Sequence, residues 1–148
     1  MKEISRIVVP VDFGSHTDKL VEFATYMASK LGAKLSFIHV NESSALGDMM
    51  MGSPSFRDLD EQRQAKAEQK MAHVLEDYGA KCPGCTGEVV AGDAVDEIVA
   101  FAKKQEADLI IISTHGTKGL GKILLGSVAE RVVKRAPCPT LTINPFEQ

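Results

Sequence analysis

Residues 110–133, IIISTHGTKGLGKILLGSVAERVV, decide the fold class of this chain. The stretch opens within the run Leu109 to Ile112, which has the continuous apolar character of a strand buried on both faces. It passes through a loop of glycines and lysines and re-enters a helix at Gly126-Ser127. A strand, a glycine loop and a helix N-terminus in that order predict an anion site. The first N–H groups of a helix have no internal partners, and the helix dipole adds partial positive charge there. Phosphate is the anion this arrangement suits.

The sequence to either side repeats the pattern. Residues 4–12, ISRIVVPVD, are predicted as a first strand, with Pro10 at its last turn because proline gives no ladder donor. Ser15-His16-Thr17-Asp18 matches a capping box. Leu20, Phe23, Ala24, Met27, Ala28 and Leu31 follow at helical spacing, and Gly32 is the expected stop. Residues 34–40, KLSFIHV, form a second predicted strand. Residues 41–58 show no period and are expected to be a long mobile loop, either a lid or a partner surface carrying Met49-Met50-Met51. A charged helix is expected over 59–78, ended by Gly79, with Ala67, Met71, Val74, Leu75 and Tyr78 on one face. A third strand over 86–91 and a helix capped by Gly92-Asp93 follow. The fourth strand spans 108–114, the last helix 127–136 and the final strand 140–144.

Alternation of short apolar strands with amphipathic helices predicts a single α/β domain over residues 1–148, Rossmann-like, with helices on both faces. Right-handed crossovers leave few arrangements, and an open five-stranded parallel sheet of order 3-2-1-4-5 is the expected one. The winding then reverses between strands one and four, and ligands bind beyond the carboxyl ends of strands at such a reversal. The loop carrying Asp12 would face the loop carrying Gly116 to Gly126.

With 44% apolar and 25% charged residues the chain reads as a soluble globular protein, and a net charge of −3 gives no general affinity for nucleic acid. No apolar run approaches the roughly 20 residues that span a bilayer, and no signal-peptide pattern opens the chain. A cytoplasmic location is therefore expected. Cys82, Cys85 and Cys138 are too few for a disulfide framework.

The glycine loop nearly fits the P-loop G-x-x-x-x-G-K-[ST] from Gly116 to Lys122. Ile123 stands where that motif needs the hydroxyl that holds magnesium, and Gly126 intervenes before the helix. A dinucleotide fingerprint belongs after the first strand, where DFGSH has only Gly14. Several residues also have structural readings. Ser127-x-x-Glu130 is itself a capping box, and Asp12 could simply serve the turn after its strand. His115 is either a phosphate donor when protonated or a solvated loop histidine. Lys118 and Lys122 could neutralise a polyphosphate.

Taken together, VPVDF, the HV ending of strand two, Gly92 ahead of its helix, ADLIIIS, GSVAERV and APCPTLTI resemble the universal stress protein family across nearly the whole chain. The ATP-binding members of that family carry G-x2-G-x9-G-[ST]. Ser113-Thr114-His115-Gly116, nine residues and Gly126-Ser127 match it, with Ser113 in place of the first glycine. The resemblance implies that Asp12 and Val40 contact adenosine, and that Ser113, Gly116, Gly126, Ser127 and Val128 surround the ribose and phosphates. A serine at 113 is strained if that position needs φ > 0, and otherwise offers a hydroxyl donor.

The resemblance also implies a homodimer through the last strand, ATP (or AMP or ADP) as ligand, and Mg²⁺ or Mn²⁺ bound through the phosphates. The function expected is a stress-response sensor or switch with at most slow hydrolysis or self-phosphorylation. A nucleotide-free interaction module with an unknown protein partner and a slow ATPase are the alternatives. Cys82-Pro83-Gly84-Cys85 falls after a helix and before a strand, so the activation of a thioredoxin-type site is absent. It reads as an incidental turn pair, a regulatory disulfide or half of a shared metal site.

Overall fold

The computed structural model describes residues 2–42, 54–115 and 126–146. Within them run β1 (Arg6–Pro10), α1 (Thr17–Leu31), β2 (Lys34–Asn41), α2 (Pro54–Tyr78), β3 (Thr86–Ala91), α3 (Ala94–Lys104), β4 (Leu109–Ser113), α4 (Ser127–Arg135) and β5 (Thr140–Ile143). All strand pairs are parallel, and the order β3-β2-β1-β4-β5 is the expected one. No helix among the described residues is long and apolar enough to cross a membrane.

Side-chain alternation in the strands divides the core in two. Ile7, Val9, Phe37 and Ile111 face Leu20, Val21 and Ala24 of α1 and Met71 of α2. Val8, Ile38, Ile110 and Ile112 face Val95, Ile98 and Ala102 of α3 and Ala129 and Val132 of α4. The strands thus have apolar residues on both sides, which is why they read as continuous runs rather than alternating ones.

Two helix starts differ from expectation. α1 begins at Thr17 with His16 as N-cap and no side-chain cap, so Ser15 does not serve as the cap of a capping box. Asp12 organises this turn instead: its Oδ1 accepts from Gly14 N–H at 2.8 Å and from Thr17 Oγ1 at 3.4 Å. α2 begins at Pro54, five residues before the expected start, and its first position suits a residue with no N–H to leave unpaired. The expected loop over 41–58 thus loses its last residues to α2 and Asn41 to β2. Met49, Met50 and Met51 lie outside the described residues.

The stops and the remaining cap follow expectation. Gly32 takes the left-handed conformation (φ 64°) and returns its N–H to Ala28. Asp93 accepts from Asp96 N–H at 2.9 Å at the start of α3. At the amino end of the sheet, Asp108 binds β1 to β4. Its Oδ2 accepts from Ser5 N–H and Ser5 Oγ at 3.0 Å and from Arg6 N–H at 3.1 Å, and Lys2 lies 3.2 Å from Oδ1.

Candidate functional site at the carboxyl end of the sheet

At the opposite end the same two strands part. β1 and β4 are paired at Ile7↔Leu109 and Val8↔Ile110, whereas β4 keeps pace with β5 as far as Ser113↔Ile143. Pro10 supplies a reason. Val11 N–H donates to Ile38 of β2 at 2.8 Å, and donors alternate sides along a strand, so the position facing β4 falls on the residue without an N–H. Beyond Val8 and Ile110 the two strands are no longer paired, and each runs on into its own loop.

On the β1 side, Asp12 is exposed and gives one carboxylate oxygen to its own turn, so its turn-forming role is real. Phe13 follows with φ 59°, a left-handed conformation uncommon for a residue with a side chain. Its ring lies on His39 of β2, centroid to centroid 4.5 Å.

On the β4 side, Ser113 is half-buried and ends the strand. The described non-glycine residues with positive φ are Phe13 and Glu106, so Ser113 sits unstrained. Its Oγ donates to the His115 carbonyl at 2.8 Å, and His115 N–H points back at Oγ at 3.3 Å. The hydroxyl thus folds the turn. His115 is buried, 4% exposed, which corrects the reading of a solvated loop histidine. Its Nδ1 lies 2.8 Å from Thr114 Oγ1, and its ring meets Phe146 edge-on at 4.9 Å. Phe146 also meets His16 at 4.5 Å, and Lys19 Nζ donates to the Pro145 carbonyl at 3.0 Å. The turn after β5 thereby clasps the N-terminus of α1 to the loop after β4, a contact no sequence pattern announced.

Gly126 N–H donates to the Thr114 carbonyl at 2.6 Å, bringing the start of α4 against the end of β4. A Cβ at Gly126 would stand 2.6 Å from that same oxygen, so only glycine fits this approach. Gly126 is itself the N-cap, accepting from Glu130 N–H at 2.9 Å, and no side chain caps the helix. The capping-box reading of Ser127 is therefore overturned: Ser127 is the first helical residue, exposed, one position too late to cap. The N–H groups of Ser127, Val128 and Ala129 precede the first intrahelical bond, at the end of α4 that meets Thr114. Val40 and Val128 pack against the same core cluster, on the α3/α4 face. Gly116, Lys118 and Lys122 lie outside the described residues.

A family model described as the universal stress protein family matches residues 3–144. The chain belongs to the universal stress protein family. It is 34% identical over 145 residues to a universal stress protein of Methanocaldococcus jannaschii, covering 94% of this chain and 81% of that one. Its fold is similar to that of the universal stress protein UspA of Lactobacillus plantarum, with TM-score 0.82, 24% identity and coverage of 97% and 99%. A universal stress protein in complex with cAMP is similar at TM-score 0.72, with 20% identity and coverage of 97% and 99%. One from Archaeoglobus fulgidus in complex with dAMP is similar at TM-score 0.64, with 22% identity and coverage of 96% and 99%. At these identities the solved structures establish the fold.

The cysteines of this universal stress protein stand apart from the carboxyl end. Cys82 and Cys85 border the α1/α2 side of the sheet and Cys138 the α3/α4 side, so the third thiol cannot join the pair. The CPGC turn is closed by Cys85 N–H donating to the Cys82 carbonyl at 3.1 Å, with Gly84 at φ 80°. Burial, reinforced by Cys85, pushes the Cys82 thiol up to about 11. Among the described residues no three of His, Cys, Asp and Glu gather as metal ligands would.

Proposed function

We propose that this universal stress protein binds an adenine nucleotide where β1 and β4 part, and that it acts as a cytoplasmic sensor or switch in the stress response. The carrying observation is the start of α4, held against Thr114 by a glycine that tolerates no side chain and left without a side-chain cap. A phosphate beside it would accept from the N–H groups of Ser127 and Val128 and meet the positive end of the helix dipole. Asp12 and Val40 would flank the adenosine, and Ser113, His115, Gly116 and Gly126 the ribose-phosphate side. Lys118 would offset charge on the polyphosphate. The cAMP and dAMP complexes of similarly folded proteins support an adenine ligand.

ATP is the proposed ligand, with AMP or ADP as related occupants, and Mg²⁺ or Mn²⁺ held by its phosphates. The single domain would dimerise through β5, an edge strand whose run ends at Pro145. Binding rather than turnover is the proposed reading. A nucleotide-free interaction module is the competing reading, favoured by the Ser113 hydroxyl folding its own turn.

Ser127→Pro tests the site without disturbing the fold. Proline suits a first helical position, and Gly126 already has the extended conformation (φ −58°, ψ 148°) that precedes proline. Equilibrium dialysis with MgATP is expected to show affinity falling at least about tenfold, the loss of one charge-assisted donor, with the melting temperature kept. Ser127→Ala separates the hydroxyl from the N–H. Undiminished affinity in Ser127→Pro would remove α4 from the site. A single-turnover phosphate assay on the wild type distinguishes a binder from a slow ATPase.

A further inference from the structure

Side-chain hydrogen bonds join the turn after β1 to α2 and β3 through His39. At one end, His39 Nδ1 lies 2.7 Å from the Val11 carbonyl. His39 Nε2 lies 3.1 Å from Asn41 Oδ1, and Asn41 Nδ2 donates to Gln64 Oε1 at 3.3 Å. At the other end, Gln64 Nε2 donates to the Val89 carbonyl and to Glu68 Oε1, both at 3.1 Å.

The direction of every bond in this series is fixed. A carbonyl and a carboxylate only accept, so the Gln64 amide must present its nitrogen to Val89 and Glu68. Its oxygen then faces Asn41, which must present nitrogen there and oxygen to His39. His39 therefore faces an acceptor at each ring nitrogen, and both bonds need a proton. A neutral imidazole has one proton for two acceptors. Reversing Asn41 would set its oxygen against that of Gln64, and reversing Gln64 would set its oxygen against Val89 and Glu68.

We propose that His39 is a proton-dependent positioning residue of the nucleotide-binding turn: doubly protonated, it clamps Val11 and Phe13 to Asn41 and α2, and on losing a proton it releases the turn. The carbonyl side of the turn is what lets go. Gln64 braces the Asn41 end with two further bonds, whereas at the other end Val11 N–H stays on the Ile38 carbonyl and the Val11 carbonyl comes free together with Phe13, held at φ 59° beside the His39 ring. Asp12 heads that turn, so release moves a residue that flanks the adenosine. This regulation rests on the nucleotide reading above. The charged groups along the series are Asp12 on the turn and Glu68 on α2. Arg63 of α2 turns to the Glu42 carbonyl, and Asp18 and Glu22 of α1 act on Tyr78 instead.

The test uses the ligand-free protein, its MgATP affinity and the variant Asn41→Ala. Without Asn41 a single proton on Nδ1 satisfies His39, so the turn stays held whatever the charge of the ring. In nuclear magnetic resonance titrations followed through the protonation of the His39 ring itself, the wild-type amides of Phe13 and Gly14 are expected to move with the ring. In Asn41→Ala the ring is expected to titrate while those amides stand still. Wild-type MgATP affinity is expected to fall about tenfold as His39 loses its proton, the size of one charge-assisted hydrogen bond. The variant should show only the ligand's own ionisation, which both proteins share. Stationary amides in the wild type, or identical pH profiles of affinity in the two proteins, overturn the proposal. If no ATP binds at any pH, the nucleotide reading fails and regulation of that site fails with it, while the amide titrations still decide whether His39 holds the turn.

Discussion

The two ends of the β1–β4 pair are built to opposite purposes. At the amino end Asp108 gathers Ser5 and Arg6 with three hydrogen bonds, and Lys2 with an ion pair, fixing the register of the central strands. At the carboxyl end Pro10 has no donor to offer β4 and the pairing stops at Val8↔Ile110, short of Asp12, Ser113 and the start of α4. With the nucleotide site proposed above, stability belongs to one end and ligand chemistry to the other, and substitutions at each end should divide accordingly.

The largest expected effect is Gly126→Val. Its Cβ would overlap the Thr114 carbonyl, so α4 must shift and MgATP binding should be abolished, with about 1–3 kcal/mol lost from unfolding in denaturant. Asp108→Asn should do the reverse: lower the melting temperature and leave MgATP affinity unchanged. The Ser5 N–H, then Lys2, hold the Asp108 carboxyl down to about 2, against an ordinary value of 3.8. A carboxylate depressed in the folded state stabilises fully above its unfolded value, and the contribution is lost as the pH falls from about 4 through about 2. Urea midpoints measured across that window should fall in the wild type and change less in Asp108→Asn. A melting temperature unmoved by Asp108→Asn would break the division between the ends.

Smaller effects sharpen it. Ser113→Gly removes a hydroxyl that folds its own turn and relieves no strain, so affinity should change by less than about threefold, under 1 kcal/mol. A larger gain would show that the serine obstructs the site. The smallest effect on binding should come from the cysteines. Cys82 is buried with its thiol pushed up to about 11, so iodoacetamide should label the more accessible Cys85 first by mass spectrometry, without loss of MgATP affinity.

Most of the architecture was legible in the residues. Strand order follows from the alternation of elements and right-handed crossovers, and the core face of α3, the glycine stop at Gly32 and the Asp93 cap from periodicity and turn chemistry, which are local. On α1 the spacing included Leu31, which is 41% exposed, and passed over the buried Val21. The helix starts were less legible, because several hydroxyls and carboxylates near each other can cap and only one does. Ser15 and Ser127 both fit the pattern and neither caps; Asp12 takes over at the first site and Gly126 at the second. At the candidate site the sequence marked Asp12, Ser113, His115 and Gly126 but not the work each does. The burial of His115 depends on Phe146, 31 positions further along the chain.

The sequence by itself determined the alternation of strands and helices and, through right-handed crossovers, the point where the sheet's winding reverses; it marked Gly126 without saying what that glycine approaches. Periodicity and backbone freedom are properties of neighbouring residues, so they can be read along the chain. Only the tertiary structure decided that Asp108 meets Ser5, 103 positions away, and that His39 faces Val11, 28 positions away. These pairings depend on the registers of separate strands. A hydrogen bond needs its partner within about 3 Å, and no local pattern records which distant group arrives there.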